Sequence, residues 1–107
     1  MCYPEPTEDD IARFNADGFL VVRKAIDPVE RRALADMGTE MIARPADWGK
    51  DWDWRRGEAL DRRAFRIVQS GVDRHFPWLP ASRFRRWAGR FGGALMGQDM
   101  AFWYEQF

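Results

Sequence analysis

Residues 11–22 read Ile11-Ala12-Arg13-Phe14-Asn15-Ala16-Asp17-Gly18-Phe19-Leu20-Val21-Val22, and their order decides how the chain is built. Ile11 and Phe14 stand three apart, the spacing of a single apolar stripe on a short helix. Upstream, Thr7 is placed to cap that helix, with Asp10 in the capping-box position and acids filling the first turn. Gly18 suits the left-handed residue that ends a helix. The compact apolar run Phe19–Val22, bounded by Arg23-Lys24, predicts a brief strand that should be covered on both faces.

Working outward, Asp27-Pro28-Val29-Glu30 is a helix start, with an aspartate cap, proline at the first helical position and glutamate at the third. Ala33, Leu34, Met37 and Met41 then recur at helical spacing, so one face should pack inward. Pro45 disfavours a helical Arg44 and should close the helix. From Pro45 to Gly57 the pattern breaks into a long loop holding Trp48, Trp52 and Trp54, with room for a helical turn. Ala64–Gln69 reads as a second strand, and His75-Phe76-Pro77-Trp78-Leu79-Pro80 as an aromatic connector. A third helix follows, with Phe84, Trp87, Ala88, Phe91 and Leu95 on one face and Arg83, Arg85, Arg86 and Arg90 around the rest. Gly92-Gly93 either weaken this helix or let another element approach it closely. Gly97 is a stop. Met100–Phe107 reads as a last strand, with Phe102, Tyr104 and Gln106 on one face.

Composition bounds the function. The 107 residues carry no net charge, but the charge is uneven. Residues 1–47 hold 6 basic and 10 acidic side chains, whereas residues 48–90 hold 11 basic and 5 acidic ones. A basic middle can meet an anionic partner, although a solvated helix face is the preferred account. Cys2 is the single cysteine, in a segment expected to be loose, so no internal disulfide can form. The N-terminus lacks the basic-then-apolar order of a signal peptide, and no apolar run reaches the length of a membrane span. Cytoplasmic location is expected. There is no Gly-rich phosphate loop, no Gly-x-Ser-x-Gly elbow and no paired cysteines for zinc.

The pieces Asp17-Gly18-Phe19-Leu20-Val21-Val22, then Asp27-Pro28 with its helix, then Leu95-Met96-Gly97-Gln98-Asp99 leading into Phe102-Trp103-Tyr104-Glu105-Gln106-Phe107, together resemble phytanoyl-CoA dioxygenase-like proteins. These are Fe(II)- and 2-oxoglutarate-dependent oxygenases. The resemblance spans about Thr7 to Phe107 as an order of elements. It implies an α+β fold, with residues 1–107 forming a single N-terminal portion: helices and first strands of a double-stranded β-helix, or jelly roll. The intact enzyme would hydroxylate a small organic substrate with Fe(II), 2-oxoglutarate and oxygen.

That chemistry needs two histidines and a carboxylate around iron. His75 is the only histidine, is followed by Phe76-Pro77, and precedes the matching strand. No catalytic, cofactor or metal residue carries over, and the chain alone is expected to bind neither iron nor 2-oxoglutarate. His75 is better read as a packing residue than as a ligand or proton carrier. Tyr104, Gln106, Trp52 and Trp54 are the candidate cavity-lining residues, with simple packing the blander account of each. The last strand, apolar on both faces, is expected to favour self-association. The competing reading is a non-catalytic module that uses the basic, Trp-rich region 48–90 on nucleic acid or a protein partner; zero net charge disfavours nucleic acid.

Overall fold

A computed structural model of the chain describes residues 1–43, 50–52, 67–69 and 71–101. Its elements run α1 (Glu8–Asp17), α2 (Pro28–Ala43), β1 (Lys50–Trp52), β2 (Ile67–Gln69), a single 3-10 turn (Val72–Arg74) and α3 (Arg83–Met96). They divide into two compact units. Among the described residues, one comprises 1–31 with 81–101 and the other those between 32 and 80, and the boundary falls inside α2.

The helix ends are set by local chemistry. The Thr7 hydroxyl accepts from the Asp10 amide at 3.1 Å while the Asp10 carboxylate accepts from the Thr7 amide at 2.9 Å, a reciprocal capping box. These bonds to Thr7 hold the Asp10 carboxyl below the usual carboxylate range. Gly18 closes α1 at φ +80° with its amide on the Phe14 carbonyl at 2.8 Å. Asp27 Oδ1 accepts from the Val29 amide at 2.8 Å, and Pro28 has no amide to satisfy.

Each unit has its own core. In the first, Tyr3, Ala25, Trp87 and Phe91 are buried, with Leu20, Val22, Ile26, Phe84 and Leu95 packed around them. In the second, Met37 and Met41 of α2 meet Val72, Phe76 and Leu79, with Leu34 and Trp78 alongside. The expected inward face of α2 is therefore observed, and part of the aromatic connector is core.

Several expectations need correction. Phe19–Val22 is not a strand. Leu20 and Val22 turn into the core, whereas Phe19 and Val21 are 65% and 61% exposed, so one face is uncovered. A strand exists only through a ladder partner, and none is present among the described residues. The loop expected over 45–57 contains β1, which pairs antiparallel with β2 in the register Lys50↔Gln69, Asp51↔Val68 and Trp52↔Ile67. Strand β2 forms the C-terminal half of the strand expected at Ala64–Gln69; residues 64–66 lie outside the described residues. Ala88 is exposed, and the buried strip of α3 narrows to Phe84, Trp87, Phe91 and Leu95. Met100 and Ala101 have no regular structure, and residues 102–107, on which the last strand and its expected self-association depend, lie outside the described residues.

The N-terminus is not loose. Tyr3 is buried, its amide donates to the Ala25 carbonyl at 2.7 Å, and its φ of 56° lies in the left-handed region. A bulky residue adopts that conformation only where its surroundings fix it.

The paired glycines of α3 do let another segment approach. A Cβ on Gly93 would sit 2.9 Å from the Gln98 carbonyl oxygen, whereas one on Gly92 would meet only the Met100 side chain, at 3.9 Å. The amides of Gly97 and Gln98 both point to the Gly93 carbonyl, which closes the helix and draws the following chain over Gly93. The two positions should answer alanine with opposite signs. Gly92→Ala is expected to stabilise by up to about 1 kcal/mol through helix propensity. Gly93→Ala is expected to destabilise by about 1–3 kcal/mol through overpacking against backbone. Chemical denaturation of both variants measures this; equal shifts would contradict the close approach.

Candidate functional site

The N-terminus of α3 gathers the polar chemistry of the first unit. Its first turn carries Arg83, Arg85 and Arg86 and no acid, a charge pattern opposed to the helix dipole. The compensating charge comes from Glu30. One carboxylate oxygen of Glu30 accepts from the Arg83 amide at 2.7 Å; the other accepts from the Phe84 amide at 2.9 Å and from the Tyr3 hydroxyl. Ser82 completes the cap. Its hydroxyl accepts from the Arg85 amide at 3.1 Å and its carbonyl from the Arg86 amide at 3.3 Å. The open amides of the first three helical residues, Arg83, Phe84 and Arg85, thus all have partners, and the Arg86 amide begins the regular helical ladder.

The electrostatics follow from this geometry. Burial pushes the Glu30 carboxyl upward, but the hydrogen bonds from Tyr3, Arg83 and Phe84, with the Arg83 charge, outweigh it and hold the carboxyl below the usual glutamate range. Burial, then the bond to the Glu30 carboxylate, pushes the Tyr3 phenol up. The Arg83 guanidinium lies over the Tyr3 ring at 4.8 Å from its centroid, with Nη1 3.9 Å from Asp27 Oδ2. The Trp87 indole N–H donates to the Pro4 carbonyl at 2.8 Å, and its ring meets those of Tyr3 and Phe91 at 5.8 and 5.1 Å.

This network frames two concavities. A small crevice of about 240 Å³ is lined by Cys2, Tyr3, Arg83, Arg86, Trp87 and Arg90. A wider, open groove of about 840 Å³ runs along α3, with Arg85, Arg86 and Arg90 on its rim and Gly89, Gly93 and Gly97 among its lining residues. Arg86 and Arg90 border both.

The residues singled out by sequence fall elsewhere. The backbone of Trp52 belongs to β1, while Trp48, Trp54, Tyr104 and Gln106 lie outside the described residues. His75 is exposed at the end of the 3-10 turn, its amide donating to the Val72 carbonyl at 2.9 Å, so it is no part of the buried packing expected beside Phe76. Among the described residues, no group of three or more His, Cys, Asp or Glu side chains is placed to hold a metal ion, and no helix is long and apolar enough to cross a membrane.

Sequence reasoning missed Tyr3, Glu30 and Arg83 as one unit. Glu30 read as the third residue of its own helix, yet its carboxylate serves a helix that starts 53 positions later. The available signal was the acid-free, arginine-rich first turn of α3, which demands a carboxylate from elsewhere. Compared with protein-family models, curated proteins and solved structures, the chain matches none.

Proposed function

We propose that this chain is the N-terminal portion of a phytanoyl-CoA dioxygenase-like oxygenase, serving as a scaffold and supplying none of the iron ligands. The observation that carries the reading is the order of the first elements. Helix α1 ends at a left-handed Gly18, the apolar run Phe19–Val22 follows with alternate residues facing the core, and an aspartate-capped α2 opens at Pro28. That order gives structural form to the stretches on which the resemblance rests. The exposed Phe19 and Val21 support it further, because an extended segment with one bare apolar face is suited to receive a neighbouring sheet.

In the intact enzyme, iron and 2-oxoglutarate would be held by residues other than those of this chain, and hydroxylation of a small organic substrate would take place there. The role of these 107 residues is to buttress that core. Purified alone, the chain is expected to show neither stoichiometric Fe(II) binding nor turnover of 2-oxoglutarate; either result would defeat the reading. The coding sequence downstream of Phe107 gives a second test, since the reading requires a His-x-Asp shortly after it.

A further inference from the structure

We propose that the crevice between the N-terminal segment and α3 binds a phosphate group, taken up as inorganic phosphate or as the phosphate ester of a small molecule. Arg83, Arg86 and Arg90 are spaced three and four apart, so they stand one above the other on one helix face, and all three line the same crevice. Three guanidinium groups around one small space repel each other unless a counter-charge sits among them. Carboxylates nearby offset the charge of Arg83 and Arg90. Asp27 is 3.9 Å from Arg83 and Glu5 is 3.8 Å from Arg90, both beyond hydrogen-bond reach and the second pair largely exposed. Glu30 spends both oxygens on Tyr3 and on the amides of α3, while its charge acts on Arg83.

Arg86 has no ion-pair partner among the described residues. The guanidinium donors are therefore left for solvent or a ligand, and their planar forks suit the oxygens of a phosphate. The walls are preorganised. The Tyr3 ring is fixed by Glu30 and covered by Arg83, and the Trp87 indole is fixed by Pro4. Because Arg86 and Arg90 also border the open groove, an ester could place its phosphate in the crevice and its organic body over Gly89, where the helix surface is open. Asp99, at the far end of that groove, sets a limit by disfavouring a second anionic group there.

The test uses the whole chain and three probes: inorganic phosphate, phosphoserine and a single-stranded oligonucleotide. Calorimetry should give one saturable site for phosphate or phosphoserine, weakened about tenfold in Arg86→Gln, the loss expected of one charge-assisted contact. Arg32→Gln, which removes an exposed arginine paired with Asp36 on α2, should leave binding unchanged. Cys2 supplies a local reporter: as the only cysteine, lining the crevice, it should be alkylated by neutral iodoacetamide more slowly when phosphate is bound. An unchanged melting temperature in Arg86→Gln would exclude misfolding as the cause of lost binding. Absence of saturable phosphate binding, equal losses in Arg86→Gln and Arg32→Gln, or alkylation indifferent to phosphate would overturn the site. Binding of the oligonucleotide without any binding of phosphate or phosphoserine would overturn the small-anion assignment.

Discussion

Trp87→Ala is expected to cost about 3–5 kcal/mol, enough to unfold the first unit at ordinary temperature in a domain of this size. The indole is buried at the centre of the core and touches the rings of Tyr3 on one side and Phe91 on the other. Removing it deletes the largest side chain of that cluster and leaves a cavity that a helix and a short segment cannot collapse around. It also strands the Pro4 carbonyl, which accepts from the indole nitrogen. Trp87→Phe separates these effects. It keeps much of the ring contact and loses the hydrogen bond, so about 1–2 kcal/mol is expected. The measurements are thermal and chemical unfolding followed by far-ultraviolet circular dichroism. A change below about 1 kcal/mol for alanine would mean that Trp87 is not the keystone of this core.

What the sequence made legible was local. Both ends of α1, the start of α2 and the stop of α3 at Gly97 each depend on a residue and partners within a few positions. Side-chain spacing likewise marked Met37 and Met41, and the Phe84–Trp87–Phe91–Leu95 strip, as inward. What sequence could not supply was pairing at long range. Phe19–Val22 has the composition of a strand, but a strand is defined by a neighbour rather than by its own residues. Tyr3 lies in a segment rich in proline and acid, and nothing nearby in sequence announces that it will be buried beneath Arg83. The two arginine-lined concavities were equally hidden. The sequence located positive charge across residues 48–90, while the candidate site uses only the arginines of α3, gathered around a cysteine and a tyrosine from the first three residues of the chain.

Glu30 ties the N-terminal segment to α3, and its removal should release both. One carboxylate serves two backbone amides and one phenol, so Glu30→Ala leaves three donors to find water. The site is only half-buried, and the amides of Arg83 and Phe84 can rehydrate, which places the cost at about 2–3 kcal/mol rather than higher. Val29→Ala, one position away and 78% exposed, should be nearly neutral and serves as control. The pH dependence carries a definite sign. Because the Glu30 carboxyl is held below its ordinary value of 4.5, its contribution is fully present above that pH and fades as pH falls through the lower folded value. The Tyr3 phenol is pushed above its ordinary 10.0, so its contribution is present below that pH and is lost as pH rises through the higher folded value. The stability difference between the native chain and Glu30→Ala should therefore form a plateau between these limits and shrink on both sides. A difference that stayed constant from neutral to strongly acidic pH would show that the carboxylate is not what holds Tyr3 to the start of α3.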